Sequence, residues 1–475
     1  MAVDRQTSRE QTADGYRAQL DFDRWGWGSH CVDCYPSNCP YRVYVKDGKI
    51  VREEQSATFP VIEAGVPDMN PMGCQKGGSW SRLLYGEERI LHPMRRAGER
   101  GEGRWTRISW DEALTEISDR MLDAIEADGP ESIVRIGTPG QGGAQSIALA
   151  GAVLNKLGCT MTDVQSEIND WSPGVYITFG RFDPCASNDD WFHSELILIW
   201  GNNPAYSNIA THHYIGEARY RGAQVVTIAP DYSPSAIHAD MHVPVRIGSD
   251  AALALAMCRV IINEGLMDRE FVREQTDLPL LVRIDNGRFL RDSDLREGGR
   301  EDVFHMFDKE SQQVVAAPRT LALEDIVPAL RGTWDVTLRD GASVTVTPAF
   351  ALLQERLHGY TPEAASAISG VHPTVIHQLA RMIAARKTHV LDGWTFGKSY
   401  HGDLIERSMC LLLALTGNWG KQGAGIRSWA VGMFDGLFTW SNKPQPGVEA
   451  ARALDQALDA AAAAVRAKDP SLTNE

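Results

Sequence analysis

The run Glu195-Leu196-Ile197-Leu198-Ile199-Trp200 constrains the fold more than any other stretch of the chain. Its apolar residues leave no polar face, so it suits a parallel strand covered on both sides. Gly201-Asn202-Asn203-Pro204 ends it, a helix is predicted near 208–221, and Gln224-Val225-Val226-Thr227-Ile228-Ala229 follows as a second strand ending at Pro230-Asp231. The same alternation occurs upstream. Ser109-Trp110-Asp111-Glu112 spells a capping box, in which serine and glutamate satisfy the free amides of a helix start. Ala113, Ile117, Met121, Leu122 and Ile125 then recur at helical spacing up to Gly129-Pro130. Ser132–Gly137 reads as a strand, and the Gly-rich loop 138–143 leads into an apolar helix around 144–157. Repeated strand–loop–helix units predict an α/β chain with a doubly wound, mostly parallel sheet.

Composition narrows the partners. With 475 residues the chain can bury more than one core. A net charge of −15 argues against nucleic acid or an anionic membrane surface. No apolar run approaches the ~18 residues of a membrane span. The start, Met1-Ala2-Val3-Asp4-Arg5-Gln6, shows neither an apolar signal region nor twin arginines. The expected location is cytoplasmic, or periplasmic if a twin-arginine signal is missing from this chain.

Four of the eight cysteines crowd together: Cys31, Cys34 and Cys39 in one loop headed by His30, answered by Cys74. Thiolates and imidazole at such spacing hold a metal or an iron–sulfur cluster. Structural zinc is the competing occupant, but zinc ligands usually arrive as two close pairs, whereas this pattern is three plus one. Cys159, Cys185, Cys258 and Cys410 are scattered and read as small buried apolar residues. At the strand tips, Gly201 would let backbone approach a diphosphate. Asp231 suits ribose hydroxyls or a guanine edge. A G-x-G-x-x-G fingerprint is missing, so an ordinary NAD site is not expected. Gly248, Ser249 and Asp250 form a third polar cluster opening a helix at Ala251, where Ser249 or Asp250 can equally serve as an N-cap.

Together these motifs resemble the molybdenum oxidoreductases that bind two molybdopterin guanine dinucleotides, the family of dimethyl sulfoxide reductase. The similar branch holds respiratory nitrate reductase catalytic subunits and relatives acting on selenate, chlorate, dimethyl sulfide or ethylbenzene. The resemblance implies a small N-terminal iron–sulfur domain at 25–105, an α/β dinucleotide-binding region at 106–440 made of discontinuous domains, and an Ala-rich tail at 441–475. It implies a [4Fe–4S] cluster held by His30, Cys34, Cys39 and Cys74, with Cys31 as a rival to His30 and Lys76 linking cluster to pterin. In Ser166-Glu167-Ile168-Asn169-Asp170-Trp171-Ser172 it puts Asp170 on molybdenum, with Ser172 next if the register slips. Gly201, Asn203, Asp231, Gly248 and Asp250 would cradle a guanine dinucleotide, and Trp394 and Asn418 would also line the cofactor. Lys398, His401 and Asp33 are the candidates to protonate or orient substrate.

The implied chemistry is oxygen-atom transfer or hydroxylation of a small-molecule substrate, as molybdenum cycles between Mo(VI) and Mo(IV). Electrons would pass to an iron–sulfur β subunit and a haem b subunit. Family members run to about twice this length, so a separate C-terminal pterin-binding chain or a truncated product is expected. Two alternatives stay open: a non-catalytic iron–sulfur electron-transfer subunit, and a folded remnant with a structural metal.

Overall fold

The structure, a computed structural model, describes residues 17, 20–30, 39–56, 64–68, 70, 73–135, 153–161, 172–179, 188–318, 322–393, 396–427, 456 and 460–468. Asp33, Cys34, Asp170 and Trp394 lie outside these residues, as does the side chain of His30. The chain divides into two compact units, Met1–Trp171 with Pro204–His213, and Ser172–Asn203 with Tyr214–Glu475.

In the first unit, β1 (Arg24–His30), β2 (Cys39–Lys46) and β3 (Lys49–Gln55) form an antiparallel sheet in that order. Asp47 and Gly48 join β2 to β3 at positive φ, 48° and 76°, the backbone that a tight two-residue hairpin requires. Side chains alternate along β2. Cys39 and Tyr41 point into a small core with Ala210 and Val43, while the Arg42 guanidinium lies outside, 4.9 Å above the Trp25 ring. Helix α1 (Trp110–Asp128) opens with the capping box read from the sequence. The Glu112 amide donates to the Ser109 hydroxyl at 3.1 Å, and the Ser109 amide donates to the Glu112 carboxylate at 2.7 Å. Gly129, at φ 85°, ends the helix. The strand expected at 132–137 is Val134–Arg135, paired in parallel with Thr160–Met161.

The second unit contains α2 (Pro173–Phe179) and five parallel strands: β4 (Leu196–Trp200), β5 (Gln224–Ile228), β6 (Met241–Val243), β7 (Thr388–Asp392) and β8 (Gly425–Arg427). Their spatial order is β6-β5-β4-β7-β8. From β4 the chain winds outward through β5 to β6, then returns to the other side of β4 as β7 and continues to β8. β4 is buried along its whole length, as its unbroken apolar run requires. Leu198, Trp200 and Val390 meet Leu253 and Met257 of α4 (Asp250–Asn263) and Leu412 of α6 (Gly402–Leu415) in one core. Each large side chain so buried is worth about 1.5–3 kcal/mol. α5 (Pro373–Ala384) adds Ile376 and Leu379 to the same core. The helix expected near 208–221 is α3 (His212–Tyr220), entered through the tight turn Ile209–Thr211.

Between α4 and α5 the chain inserts an antiparallel lobe not anticipated from the sequence. Leu281–Arg283, Ser343–Pro348 and Trp334–Thr337 form one sheet, and His305–Asp308 pairs with Gln313–Ala316. Residues 460–468 of the Ala-rich tail are helical. Among the described residues no helix is long and apolar enough to cross a membrane.

β7 also carries a histidine into the interior. His389 is 1% exposed, and neither ring nitrogen has a hydrogen-bond partner among the described residues; the Asp190 carboxylate is 3.9 Å from Nδ1, beyond hydrogen-bond reach. Burial first, and the Arg427 guanidinium second, push its pKa down to about 3. The unfolded chain takes this proton near pH ~6.5. The stability contributed by the neutral ring is therefore complete above that pH and is lost as pH falls toward about 3. We expect His389→Leu to lessen the fall of the urea midpoint between pH ~6.5 and ~4. An unchanged slope would show that this imidazole is not a source of the acid sensitivity.

Candidate functional site

In a doubly wound sheet, the crevice beyond the carboxyl ends of the two strands where winding reverses is where a ligand can enter. Here those strands are β4 and β7, and each is followed directly by a glycine. The Gly393 amide donates to the Trp200 carbonyl at 3.0 Å, and a Cβ on Gly393 would collide with the Gly201 carbonyl. Gly201 itself sits at φ 61°, where a Cβ would lie 2.5 Å from the Phe396 ring. Next to it, the Asn202 amide donates to the Asp392 carbonyl at 3.1 Å, while its Oδ1 accepts the Asn203 amide at 2.7 Å. Asn203 Oδ1 accepts from the Ser235 hydroxyl at 2.7 Å, which ties the β4 tip to the short helix Pro234–Ile237 after β5.

Asp231 is exposed just past β5. Gly248, beyond β6, is exposed at φ 78° with open space where a Cβ would stand. Gly201, Asn203, Asp231 and Gly248 thus lie along one edge. Two other candidates do not reach it. Asp250 is buried, and its Oδ1 accepts the Trp200 indole N–H at 2.8 Å. Burial raises its pKa and the indole bond partly offsets that rise. Asn418 is buried at the opposite, amino end of β7, where Oδ1 accepts the Thr388 amide at 2.9 Å and Nδ2 donates to the Thr416 hydroxyl at 2.9 Å. Both brace strands.

Lys398 and His401 are exposed in the turn between β7 and α6. His401 holds the left-handed conformation, φ 57° and ψ 34°, as the residue before α6. That backbone costs a non-glycine residue roughly 1–2 kcal/mol. The turn is tight because Gly402 lies against the Phe396 carbonyl, where no Cβ fits. One turn further along α6, Glu406 is fully buried, and its Oε2 accepts the amides of Gly174 at 2.7 Å and Val175 at 3.4 Å. Gly174 is pressed on the Asp403 carbonyl. α6 therefore holds the 396–401 turn at one end and, through Glu406, the start of α2 just past the buried Ser172. Burial pushes the Glu406 pKa up to about 8, against the lowering pull of the Gly174 and Val175 amides.

In the first unit, Cys39 and Cys74 are both buried. Cys39 opens β2 opposite His30 of β1. The Tyr41 hydroxyl accepts the Cys74 amide at 2.8 Å and donates to the Cys74 carbonyl at 2.7 Å. Lys76 Nζ lies 3.5 Å from the Tyr206 carbonyl and 5.3 Å from the centre of its ring. Among the described residues no three His, Cys, Asp or Glu side chains converge as a metal site. Of the four ligands expected from the sequence, the described residues contain two thiols, Cys39 and Cys74, and thiolates have the softness that an iron–sulfur cluster requires. Glu406, Asn202 and Tyr41 were not singled out from the sequence. A signal existed for Glu406, the acidic residue in the otherwise apolar stripe Ile405-Met409-Leu412-Leu413.

The family described as molybdopterin oxidoreductase matches residues 89–472. Dimethylsulfide dehydrogenase subunit alpha of Rhodovulum sulfidophilum is 37% identical over 424 residues, 88% of this chain and 46% of that protein. Chlorate reductase subunit alpha of Ideonella dechloratans is 38% identical over 92% of this chain and 48% of its own length. Respiratory nitrate reductase subunit alpha of Haloferax mediterranei is 36% identical over 87% and 44% respectively. The chain spans about half the length of the curated relatives it matches. Among solved structures, acetylene hydratase from Pelobacter acetylenicus shares the fold with a TM-score of 0.51 at 23% identity, over 84% of this chain and 44% of that one.

The raised pKa of Glu406 has a direct consequence. The folded chain keeps a proton there that the unfolded chain releases near pH ~4.5, so this contribution to stability is complete below that pH and lost as pH rises through about 8. Glu406→Gln, which keeps the shape and stays neutral, should flatten the decline in melting temperature between pH ~5 and ~8. A decline as steep as in the parent chain would place the responsible group elsewhere.

Proposed function

The chain belongs to the molybdopterin oxidoreductase family, and from that premise we propose that it is the catalytic part of a molybdenum-dependent oxidoreductase acting on a small oxyanion or a reduced sulfur compound. One observation carries the reading: Gly201, Asn203, Asp231 and Gly248 share the carboxyl edge where the winding of a parallel sheet reverses. The exposed Asp231 carboxylate is able to accept from ribose hydroxyls or a guanine edge, and the space over Gly248 admits a ligand. These residues fit a guanine dinucleotide.

When bound, a molybdenum bis(molybdopterin guanine dinucleotide) and a [4Fe–4S] cluster would supply oxygen-atom transfer and single-electron relay. The chain's own residues do the rest. Asp170 would hold the molybdenum with a hard carboxylate. Lys398, as an ammonium, orients an anionic substrate oxygen, and His401 exchanges a proton with it; Asp33 is assigned to the same task. Trp394 is assigned to cofactor binding. Asp250 and Asn418 act at one remove, by holding the strands whose tips bear the cofactor. His30, Cys34, Cys39 and Cys74 would hold the cluster, and Lys76 is assigned to the relay. The partners that would take up the electrons are an iron–sulfur β subunit and a haem b subunit.

Metal analysis of purified protein tests the reading: about one molybdenum and about four irons per chain are expected. Iron alone would favour an electron carrier, and zinc alone would overturn both. Asp170→Ala should abolish reduction of nitrate and chlorate and oxidation of dimethyl sulfide while leaving iron content unchanged. Turnover that survives the substitution removes Asp170 from the metal.

A further inference from the structure

Tyr41 is buried to 2% exposure, two residues beyond Cys39 on the same face of β2, and its hydroxyl bonds the backbone of a residue distant in sequence. The hydroxyl accepts the Cys74 N–H at 2.8 Å and donates to the Cys74 carbonyl at 2.7 Å, a reach of 33 residues along the sequence. The N–H and the C=O flank the Cα from which the thiol departs. Holding both fixes the backbone on either side of Cys74, and with it the direction of the Cα–Cβ bond. The same carbonyl accepts the Gly78 amide at 3.0 Å, so the turn after Cys74 is anchored at the same atom.

The surroundings are cut to fit this ring. At Gly73 a Cβ would lie 2.7 Å from the Gln55 side chain and 2.8 Å from the Tyr41 hydroxyl, and at Gly77 it would run into the ring itself. No side chain larger than hydrogen is accommodated at either place without moving the phenol. Tyr44, of the same strand, shows the contrast: its hydroxyl bonds Glu54 at 2.5 Å and has no bond to either cysteine.

We infer that Tyr41 is a positioning residue for an iron–sulfur cluster, holding Cys74 in register with Cys39 through its two hydrogen bonds. The inference rests on the reading of Cys39 and Cys74 as cluster ligands. A cluster needs its thiolates at fixed points, and groups that orient a ligand typically change metal affinity by about 10–100-fold when removed. One strand would then supply a thiol and, at the next position on that face, the clamp for another.

The test uses the full chain, prepared anaerobically with its cluster, in the parent form and as Tyr41→Phe, Tyr44→Phe and Gly73→Ala. Iron release to a ferrous chelator is followed together with the electron paramagnetic resonance spectrum and midpoint potential of the reduced cluster. Tyr41→Phe should release iron about tenfold faster or more and shift both spectrum and potential. Gly73→Ala should move the readouts in the same direction by displacing the phenol, while Tyr44→Phe should match the parent. Parent-like release and spectra in Tyr41→Phe overturn the inference, as do equal changes in Tyr44→Phe. If Tyr41→Phe does not fold, Gly73→Ala decides in its place. A parent chain that takes up no iron–sulfur cluster would instead overturn the ligand reading itself, and the inference with it.

Discussion

The carboxyl edge of the sheet depends on the approach of two backbones, the end of β7 to the end of β4. Gly393 lies so close to the Gly201 carbonyl that a methyl group cannot be placed between them, and its amide donates to the Trp200 carbonyl at 3.0 Å. Because the tips meet, Asn202 reaches the Asp392 carbonyl and Asn203 reaches Ser235. From there the chain turns through Phe396 and Gly402 into α6. The crevice at the reversal of winding is thus bordered by backbone, and Asp231, Gly248, Lys398 and His401 are among the exposed groups of the segments that follow the strands.

A second constraint recurs in both units: buried polar groups tie segments far apart in sequence. Trp200 holds Asp250, Glu406 holds Gly174, Asn418 holds Thr388 and Tyr41 holds Cys74. Burying such a group without a partner costs several kcal/mol in an apolar medium, roughly 1–3 by protein substitution. Each tie therefore disfavours every register except the one that satisfies it. His389 follows the other route: with no hydrogen-bond partner in reach among the described residues, it is held neutral. Two of the buried titratable groups, Glu406 and His389, pull stability in opposite directions with pH, since one keeps a proton on folding and the other refuses it.

Much of the secondary structure of both units was legible in the sequence. The run 196–200 has one physical solution, a strand covered on both faces, and α1 begins where its serine and glutamate say it must. The antiparallel lobe between α4 and α5 was not legible, because strands of three to six residues carry too little periodicity to stand out. Asp250 shows the limit for the site. An aspartate opening a helix after a glycine turn looks the same in sequence whether it faces a ligand or the core. Only the Trp200 indole, fifty positions earlier, makes it a brace. Asn418 was misleading for a similar reason, since a Gly-Asn turn does not say which end of the sheet it joins.

By itself the sequence determined the local facts: which runs must be buried, where helices start, which residue types can hold soft metal or meet a dinucleotide. Those follow from side-chain chemistry and from periods of two and 3.6 residues, which need no distant partner. Tertiary structure decided which of the candidates share an edge. It set Gly201, Asn203, Asp231 and Gly248 side by side and turned Asp250 and Asn418 inward. It also recruited Tyr41 and Glu406, which carry no motif. Their roles come from burial and from hydrogen bonds spanning 33 and 232 residues, and interactions of that range exist only once the chain has closed on itself.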